Sequence, residues 1–586
     1  MSVPVITLAI VTATVGAGLD GPARASGPPV VLLDAGDVSR CRRRVHLDHD
    51  PTAAAAPRAL PDPALEQRRA DVTAHRERIG RLLAEAAGGA WYAVPADLPQ
   101  RERLAATAAA VAAGTPLIWG AVLPAGPALD TGPGARVARR GGAELLVRLP
   151  EGGYVPVVVV HHRVTDPGAG ARTTPLPVVA PHRAGPDAAR RIRSHSRDLL
   201  RLAHTHRMLR SAGWASRSGS EAHVGGVVGL DADVVVWHDL AAEHWPRGRT
   251  TFEEYDARFT DRAAVALAAA AGGPALATAS RINECRRCPW WPTCEAELSR
   301  TTDVSLVARG ETAVALRELG VRTVHELAAL DPQIPPGPVP GLPFPDLVAL
   351  ARAWLRGLTV ARRVPQVPVP RADVEVDVDM ESFGEAGAYM WGALLHHPGG
   401  RRADDEPDGY RAFVTWEPLP TTDEARSFAE FWSWLTGVRR RALDSGRTFA
   451  AYCYNADAEN RWLLGSARRF AGLPGVPPVA EIEEFIGDPG WVDVFALVGE
   501  WFLGAHGKGL KVGAPVAGFA WRDPEAGGEN SMRWYRGAVG MDGSPVDLAQ
   551  RQRLLEYNAD DVAATQVLRE WMCSPAAAAV PLATEL

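Results

Sequence analysis

Asp373-Val374-Glu375-Val376-Asp377-Val378-Asp379-Met380-Glu381 alternates acid and apolar residue without a break. Successive side chains of a β-strand point to opposite faces, so a strand here sorts five acids to one side and Val374, Val376, Val378 and Met380 to the other. The apolar side predicts a sheet packed on a core. Asp379 and Glu381, two residues apart, face the same way and are able to share a cation.

Residues on either side extend this into an α/β layer. Tyr389 to Leu395 and Phe413-Val-Thr-Trp416 read as the next strands of a meander, followed by a helix over 423–443. A strand over Thr448 to Tyr452 and a helix over 455–469 come next. Further helices are predicted over Asp493 to Trp501 and over 548–572. Strands first, then alternating strands and helices, suit a mixed sheet with helices against it.

Two more acid clusters fall in these helices. Asn455-Ala-Asp-Ala-Glu459 opens one; Tyr557-Asn-Ala-Asp-Asp561 lies inside the last, where Tyr557 and Asp561, four apart, share a face. Two-metal phosphodiester cleavage needs carboxylates converging on a pair of hard cations, Mg²⁺ or Mn²⁺. In such a centre Tyr557 orients the attacking water while Asp561 holds metal. The order D-x-E, N-x3-acid, Y-x3-D resembles the DEDD exonuclease superfamily in its tyrosine variant. The resemblance implies an RNase H-like fold, 3′–5′ exonuclease chemistry, and Asp379, Glu381, Glu459, Asp561 and Tyr557 as catalytic residues, with Asp379, Glu381 and Asp561 on the metal. Glu459 departs from the Asp usual there, and Asp457 is a nearby substitute. Asp493 is either an accessory acid or a helix N-cap. The competing reading is an acidic surface strand with solvated helix faces.

Proline-rich stretches at 331–346 and 364–370 mark a boundary upstream. Before it, 304–330 read as two short helices around Gly320, with Leu306, Leu316, Val321, Val324 and Leu327 as the apolar set. Gly320-Val-Arg-Thr-Val is the pattern of a helix-hairpin-helix unit, or of a plain helical spacer.

The first half is organised around Cys285-Arg-Arg-Cys288-Pro-Trp-Trp-Pro-Thr-Cys294. Three thiols in a C-x2-C-x5-C run point to a metal that needs a fourth ligand. Cys41, in Ser39-Arg-Cys-Arg-Arg-Arg44, is the candidate; Cys453 and Cys573 read as buried thiols. One distal cysteine plus this triplet is less zinc-like than paired C-x2-C knuckles. Between the cysteines, residues 143–148 and 155–160 form a strand hairpin that runs into His161-His162-Arg163, and 187–212 read as a basic helix carrying Arg190, Arg193, Arg197 and Arg201.

This layout resembles the RecB-like PD-(D/E)XK nucleases of the AddB type. It implies a restriction-endonuclease-like fold clasped by an iron–sulfur cluster, 4Fe–4S, on Cys41, Cys285, Cys288 and Cys294, with zinc the alternative. A RecB-like domain joined to an RNase H-like one is a known arrangement of bacterial nucleases. The core of that family needs an acid followed by (D/E)-x-K. Here Glu144, His161 and Arg163 stand in the corresponding places, and Arg201 and His204 fall where Q-x-x-x-Y is usual. His161 is a poor Mg²⁺ ligand and Arg163 does not exchange protons, so the reading is a degenerate nuclease centre. Asp231 and Asp233 are alternative acids. The arginines of 187–212 are candidate phosphate contacts, and Trp290 and Trp291 either stack on bases or pack around the cluster.

The chain of 586 residues is long enough for several domains. The domains expected are a disordered tail over 1–29, a RecB-like domain over 30–300, a helical region with linker over 301–370, an RNase H-like domain over 371–575 and a tail over 576–586. A net charge of −6 gives no global nucleic-acid signal, so any binding surface is local. Six cysteines argue against a disulfide scaffold and for a reducing, cytoplasmic setting. The apolar run Val3 to Ala17 lacks a preceding Lys or Arg and is too short to span a bilayer, so no membrane partner is expected. No G-x-x-x-x-G-K-[ST] motif is present, and unwinding would fall to a helicase or another repair protein. The functional expectation is a metal-dependent nuclease acting on DNA or RNA. Its alternative is a non-catalytic nucleic-acid-binding scaffold of a repair complex.

Overall fold

The computed structural model describes residues 30–60, 62–127, 129–130, 136–216, 219, 221–541 and 543–586. The expected tail over 1–29 lies outside them.

The first half is built on an eight-stranded sheet. After a long helix α1 (Pro63–Ala87) come strands β1 (Leu117–Val122), β2 (Gly142–Arg148) and β3 (Tyr154–Val159), then helix α2 (Ser196–Ser211), β4 (Val224–Val228) and β5 (Val234–Asp239). β1, β2 and β3 form an antiparallel meander; β4 runs parallel to β3, and β5 returns antiparallel. Every residue of β3 is buried, as its unbroken apolar run requires of a central strand. The basic helix is shorter than expected: it starts at Ser196, and Arg190 lies on a strand, Arg190–Ile192, paired with Thr165–Pro167. His195 precedes the first turn in an extended conformation, which ends any continuous helix from 187.

Helix α3 (Thr251–Ala270) closes this half. Residues 301–370 then contribute α4 (Glu311–Glu318), α5 (Val324–Ala329) and α6 (Phe344–Leu355). Leu306, Leu316, Val321, Val324 and Leu327 are buried together against Phe344, Leu347 and Val348. At the turn after Gly320, the N–H groups of Arg322 and Thr323 donate to Glu326 Oε2 at 2.7 and 2.8 Å. They are therefore occupied, not offered to phosphate.

The second half holds a five-stranded mixed sheet: β6 (Val374–Ser382), β7 (Ala388–His396), β8 (Gly409–Val414), helix α7 (Asp423–Asp444), β9 (Phe449–Cys453), helix α8 (Ala456–Arg469), β10 (Trp491–Asp493) and α9 (Val494–Trp501), then α10 (Gly528–Val539) and α11 (Leu548–Met572). The strand order is β8-β7-β6-β9-β10. β6, β7 and β8 are antiparallel, while β9 and β10 run parallel to β6. Val374, Val376 and Val378 pack with Trp391, Phe428, Phe431 and Trp432 on the α7 side.

The acid face of β6 is buried as well, against α11. Arg569, itself fully buried, donates to both Asp377 oxygens at 2.8 Å and to Glu375 Oε2 at 2.6 Å. Arg371 adds a hydrogen bond to Glu375 at 2.7 Å. Burial pushes Asp377 up to about 6 even against the pull of Arg569. The strand is therefore a central one with both faces covered, and the surface-strand reading fails.

Residues 576–586, expected as a tail, fold back: Leu586 is buried against α6 and Leu582 pairs with Arg362. The two halves meet along α10 and the β6–β7 turn, through Arg68–Glu529 at 2.6 Å, Asp71–Arg536 at 2.6 Å, Arg287–Glu529, and Arg163–Glu385 at 3.6 Å.

Candidate active site

Asp379 and Glu381 leave the C-terminal end of β6 just beyond the Arg569 pair. Asp561 reaches them from the facing side of α11. One carboxylate oxygen from each of the three lies within 4.8 Å of the others. Burial pushes Asp379 well above the usual carboxylate range, with repulsion from Asp561, Glu381 and Glu459 adding to it. Glu381 is pushed up to about 8 by burial and by Asp561, and Asp561 is raised by burial. Acids so close in a dry site ionise together only when a cation supplies the balancing charge.

Glu459, near the start of α8, is the fourth acid. It is 3% exposed, its Oε2 has no hydrogen-bond partner, and burial pushes it up to about 8. An orphaned buried carboxylate oxygen beside three clustered acids fits a hard divalent cation, whose ligands are oxygens. Asp457 is exposed, so Glu459 and not its neighbour is the acid turned inward. Asp493 caps α9, accepting from the N–H groups of Phe495 and Ala496 at 2.9 and 3.3 Å, and from Asn455 N–H at 3.0 Å.

Asp379, Glu381 and Asp561 are each oriented by a neighbour that sequence reasoning did not single out. Asn558 Nδ2 donates to Asp379 Oδ2 at 2.7 Å while its Oδ1 accepts from the Tyr410 hydroxyl at 2.7 Å. Gly392, paired opposite Asp379 on β7, makes room for this: a Cβ there would overlap Asn558 Oδ1. Ser531 and Tyr389 hydroxyls donate to Glu381 Oε2 at 3.0 and 3.4 Å. Trp521 Nε1 donates to Asp561 Oδ1 at 2.6 Å, and the Tyr557 hydroxyl, held protonated by burial and the surrounding acids, also bonds Asp561. Lys511 was missed too. Its ammonium stands 4.9 Å from the Tyr557 ring centre and 5.1 Å from that of Trp521. A usable signal existed: the chain has 61 arginines and 2 lysines, and both lysines, Lys508 and Lys511, fall in one five-residue stretch.

In the first half, Glu144 Oε1 is taken by guanidinium groups, Arg201 bonding it and Arg76 lying 3.3 Å from it, while its buried Oε2 has no partner. His161 is exposed and rests edge-on against His75, 5.4 Å between ring centres. Arg163 turns away to Asp231 and Glu385, both at 3.6 Å. Among the described residues these three gather no third ligand into a metal-sized group. Of the expected phosphate contacts, Arg190 pairs with Asp233 at 2.5 Å and Arg193 with Asp166 at 2.5 Å, and Arg201 is taken by Glu144. Of these four only Arg197 is exposed without an ion pair among the described residues, and Arg191 and Arg210 of the same stretch are exposed without one as well.

The cysteines do converge. Cys41, Cys285, Cys288 and Cys294 line one cavity, with Arg43 and Arg44 beside them. Cys41 N–H donates to Glu284 Oε2 at 3.0 Å, Arg43 pairs with Glu297 at 2.7 Å, and Trp290 Nε1 donates to Asp48 at 2.7 Å, tying the two segments together. Trp290 is fully buried and packs there; it is no stacking surface for a base. Burial pushes Cys294 up to about 12 and raises Cys285 and Cys288. Clustered thiols become thiolates on meeting a soft cation, and four of them are the donor set such a cation selects. Cys453 is buried as expected; Cys573 is exposed.

A family model of the RNase H superfamily matches residues 480–573, a span that includes β10, α10, α11 and Asp561. No curated protein matches the chain. The molecule is thus of mixed α/β class with an RNase H-like domain at its C-terminal end, a class that points to nuclease-type processing of nucleic acid. RNase H-like nucleases use Mg²⁺ or Mn²⁺, and the Asp379, Glu381 and Asp561 cluster is an acidic group of the kind that holds such ions. No described helix is long and apolar enough to cross a membrane.

Proposed function

We propose that the protein is a divalent-metal-dependent nuclease, a 3′–5′ exonuclease acting through residues 371–575. The observation that carries this reading is the convergence of Asp379, Glu381 and Asp561, with the buried, unpartnered Glu459 close enough to repel Asp379. Asp379, Glu381 and Asp561 hold the Mg²⁺ or Mn²⁺, with Glu459 as the fourth acid. Such an ion, when bound, would supply activation of water and stabilisation of charge on the phosphoryl oxygens. The chain's own part is positional. Asn558 fixes Asp379, Ser531 and Tyr389 fix Glu381, and Trp521 fixes Asp561. The Tyr557 hydroxyl gives its hydrogen to Asp561, which leaves its oxygen lone pairs to accept from the attacking water and orient it. The test is release of nucleotides from labelled single- and double-stranded DNA and RNA, dependent on Mg²⁺ or Mn²⁺ and lost in Asp379→Ala.

We read residues 30–300 as a RecB-like domain. The β1–β2–β3 meander followed by α2 and a parallel β4 supports a restriction-endonuclease-like core. Arg76 and Arg201 on Glu144 support a degenerate centre: two guanidinium groups sit where a cation would. Cys41, Cys285, Cys288 and Cys294 hold an iron–sulfur cluster, or zinc in its place, and the cluster clasps the two ends of this domain. Its role is to bind nucleic acid in DNA repair, in the cytoplasm, beside a helicase or other repair protein.

A further inference from the structure

The lysine pair in Gly507-Lys508-Gly509-Leu510-Lys511 has no part in the carboxylate cluster itself, yet the chain spends both its lysines there. The backbone explains how they are presented. Gly507 adopts φ +105°, and a Cβ on Gly504 would overlap the Gly507 carbonyl, so the segment turns back tightly on itself. The Tyr454 hydroxyl, at the end of β9, donates to the Lys508 carbonyl at 2.5 Å and pins the turn to the sheet. The two ammonium groups then part company. Lys508 lies 3.8 Å from the Phe495 ring centre. Lys511, in the short helix Leu510–Gly513, sits over Tyr557 and Trp521, the two side chains whose polar ends bond Asp561.

Lys511 is exposed. Asp561, Glu381 and Asp379 attract its charge. Yet among the described residues it makes no ion pair within 4 Å and donates no hydrogen bond. An ammonium carries three donors, and none of the three has a partner among the described residues. Arg569 shows what a guanidinium does on the same acid face: it forks onto Asp377 and seals it. Arg at 511 would be able to reach the cluster acids in the same way and occupy oxygens a metal needs. A compact ammonium held back by two aromatic rings leaves those oxygens free and still presents a positive charge.

We infer that Lys511 is a catalytic residue that hydrogen-bonds the non-bridging oxygens of the scissile phosphate and stabilises the charge that grows on them as water attacks. This rests on the nuclease reading above. Water adds to phosphorus, the P–O3′ bond breaks, and the proton that the water loses is balanced by the one the leaving oxygen takes up from solvent; Lys511 gives no proton and forms no covalent bond.

The test compares wild type, Lys511→Met and Lys511→Arg, with thermal unfolding as a check on folding. At saturating Mg²⁺, Lys511→Met is expected to lose about 10²-fold in kcat with little change in KM, the size of one transition-state donor. Mn²⁺ titrated calorimetrically into the protein should bind Lys511→Met at least as tightly as wild type, and Lys511→Arg more weakly. A Lys511→Met enzyme with unaltered kcat, or one whose defect lies in KM alone or vanishes with excess metal, overturns the inference while leaving the nuclease reading intact. A wild-type protein that releases no nucleotide overturns both.

Discussion

Asn558 links the two elements of the candidate site: its amide donates to Asp379 on β6 while its oxygen takes the Tyr410 hydroxyl from β8. The side chain therefore has one orientation, and so has the carboxylate it holds. Partners of this kind typically contribute 10- to 100-fold to metal affinity or activity. Asn558→Ala should lower nucleotide release by about that factor at limiting Mg²⁺ with little loss of stability. Gly392→Ala, whose new methyl would meet Asn558, should produce the same functional loss and cost roughly 1–3 kcal/mol by denaturant unfolding.

The buried acids predict a pH dependence for the metal-free protein. Glu381 and Glu459 are raised from 4.5 to about 8 in the folded state. A raised acid favours the protonated form, so the folded state is most stable below about pH 4.5 with respect to these groups and loses that stability as pH rises towards 8. The melting temperature without metal should fall across this window, and Mg²⁺ should raise it most at the upper end. Asp379→Asn, by removing one repelling charge, should flatten the metal-free curve.

Arg569 carries no chemistry in this account. It neutralises Glu375 and Asp377, two acids of the same strand that lie deeper than the site. Arg569→Met leaves Asp377 buried without its partner and Glu375 with Arg371 alone, and should cost about 3–5 kcal/mol, measured by denaturant unfolding. Folded molecules of this variant should keep their metal requirement.

The four cysteines should act as a unit. Ala at Cys41 or at Cys288 should release the bound metal and lower the stability of the first half, while Cys573→Ala should do neither. Iron, sulfide and zinc analysis with the visible spectrum separates the two metals. A brown protein with matching iron and sulfide supports the cluster, and a colourless one with stoichiometric zinc supports the alternative.

Much of this architecture is legible in the chain because its signals are local. The alternation of 373–381 gives the strand, the four-residue spacing of Tyr557 and Asp561 gives the shared helix face, and the unbroken apolar run of β3 gives a central strand. What escapes is what depends on a partner far along the chain. Nothing near Glu375 or Asp377 says that Arg569 will cover them, so the same alternation reads equally well as a solvated edge. Asn558 lies between two residues singled out for chemistry and gains its role only because Gly392 leaves space for it. Arg190, Arg193 and Arg201 look like a phosphate-binding face until Asp233, Asp166 and Glu144 arrive opposite them. Charge runs are the weakest guide for that reason: composition counts the charges, and only packing says which are already spent.

The measurement that bears most directly on the whole account is nucleotide release from 3′-labelled strands by the wild-type protein, with and without Mg²⁺ or Mn²⁺, alongside Asp379→Asn and Asp561→Asn. The account predicts stepwise loss of the 3′ label that needs the metal and disappears in both variants. Cleavage that persists in both variants, or a wild-type protein that binds nucleic acid without metal and never cuts it, would contradict it.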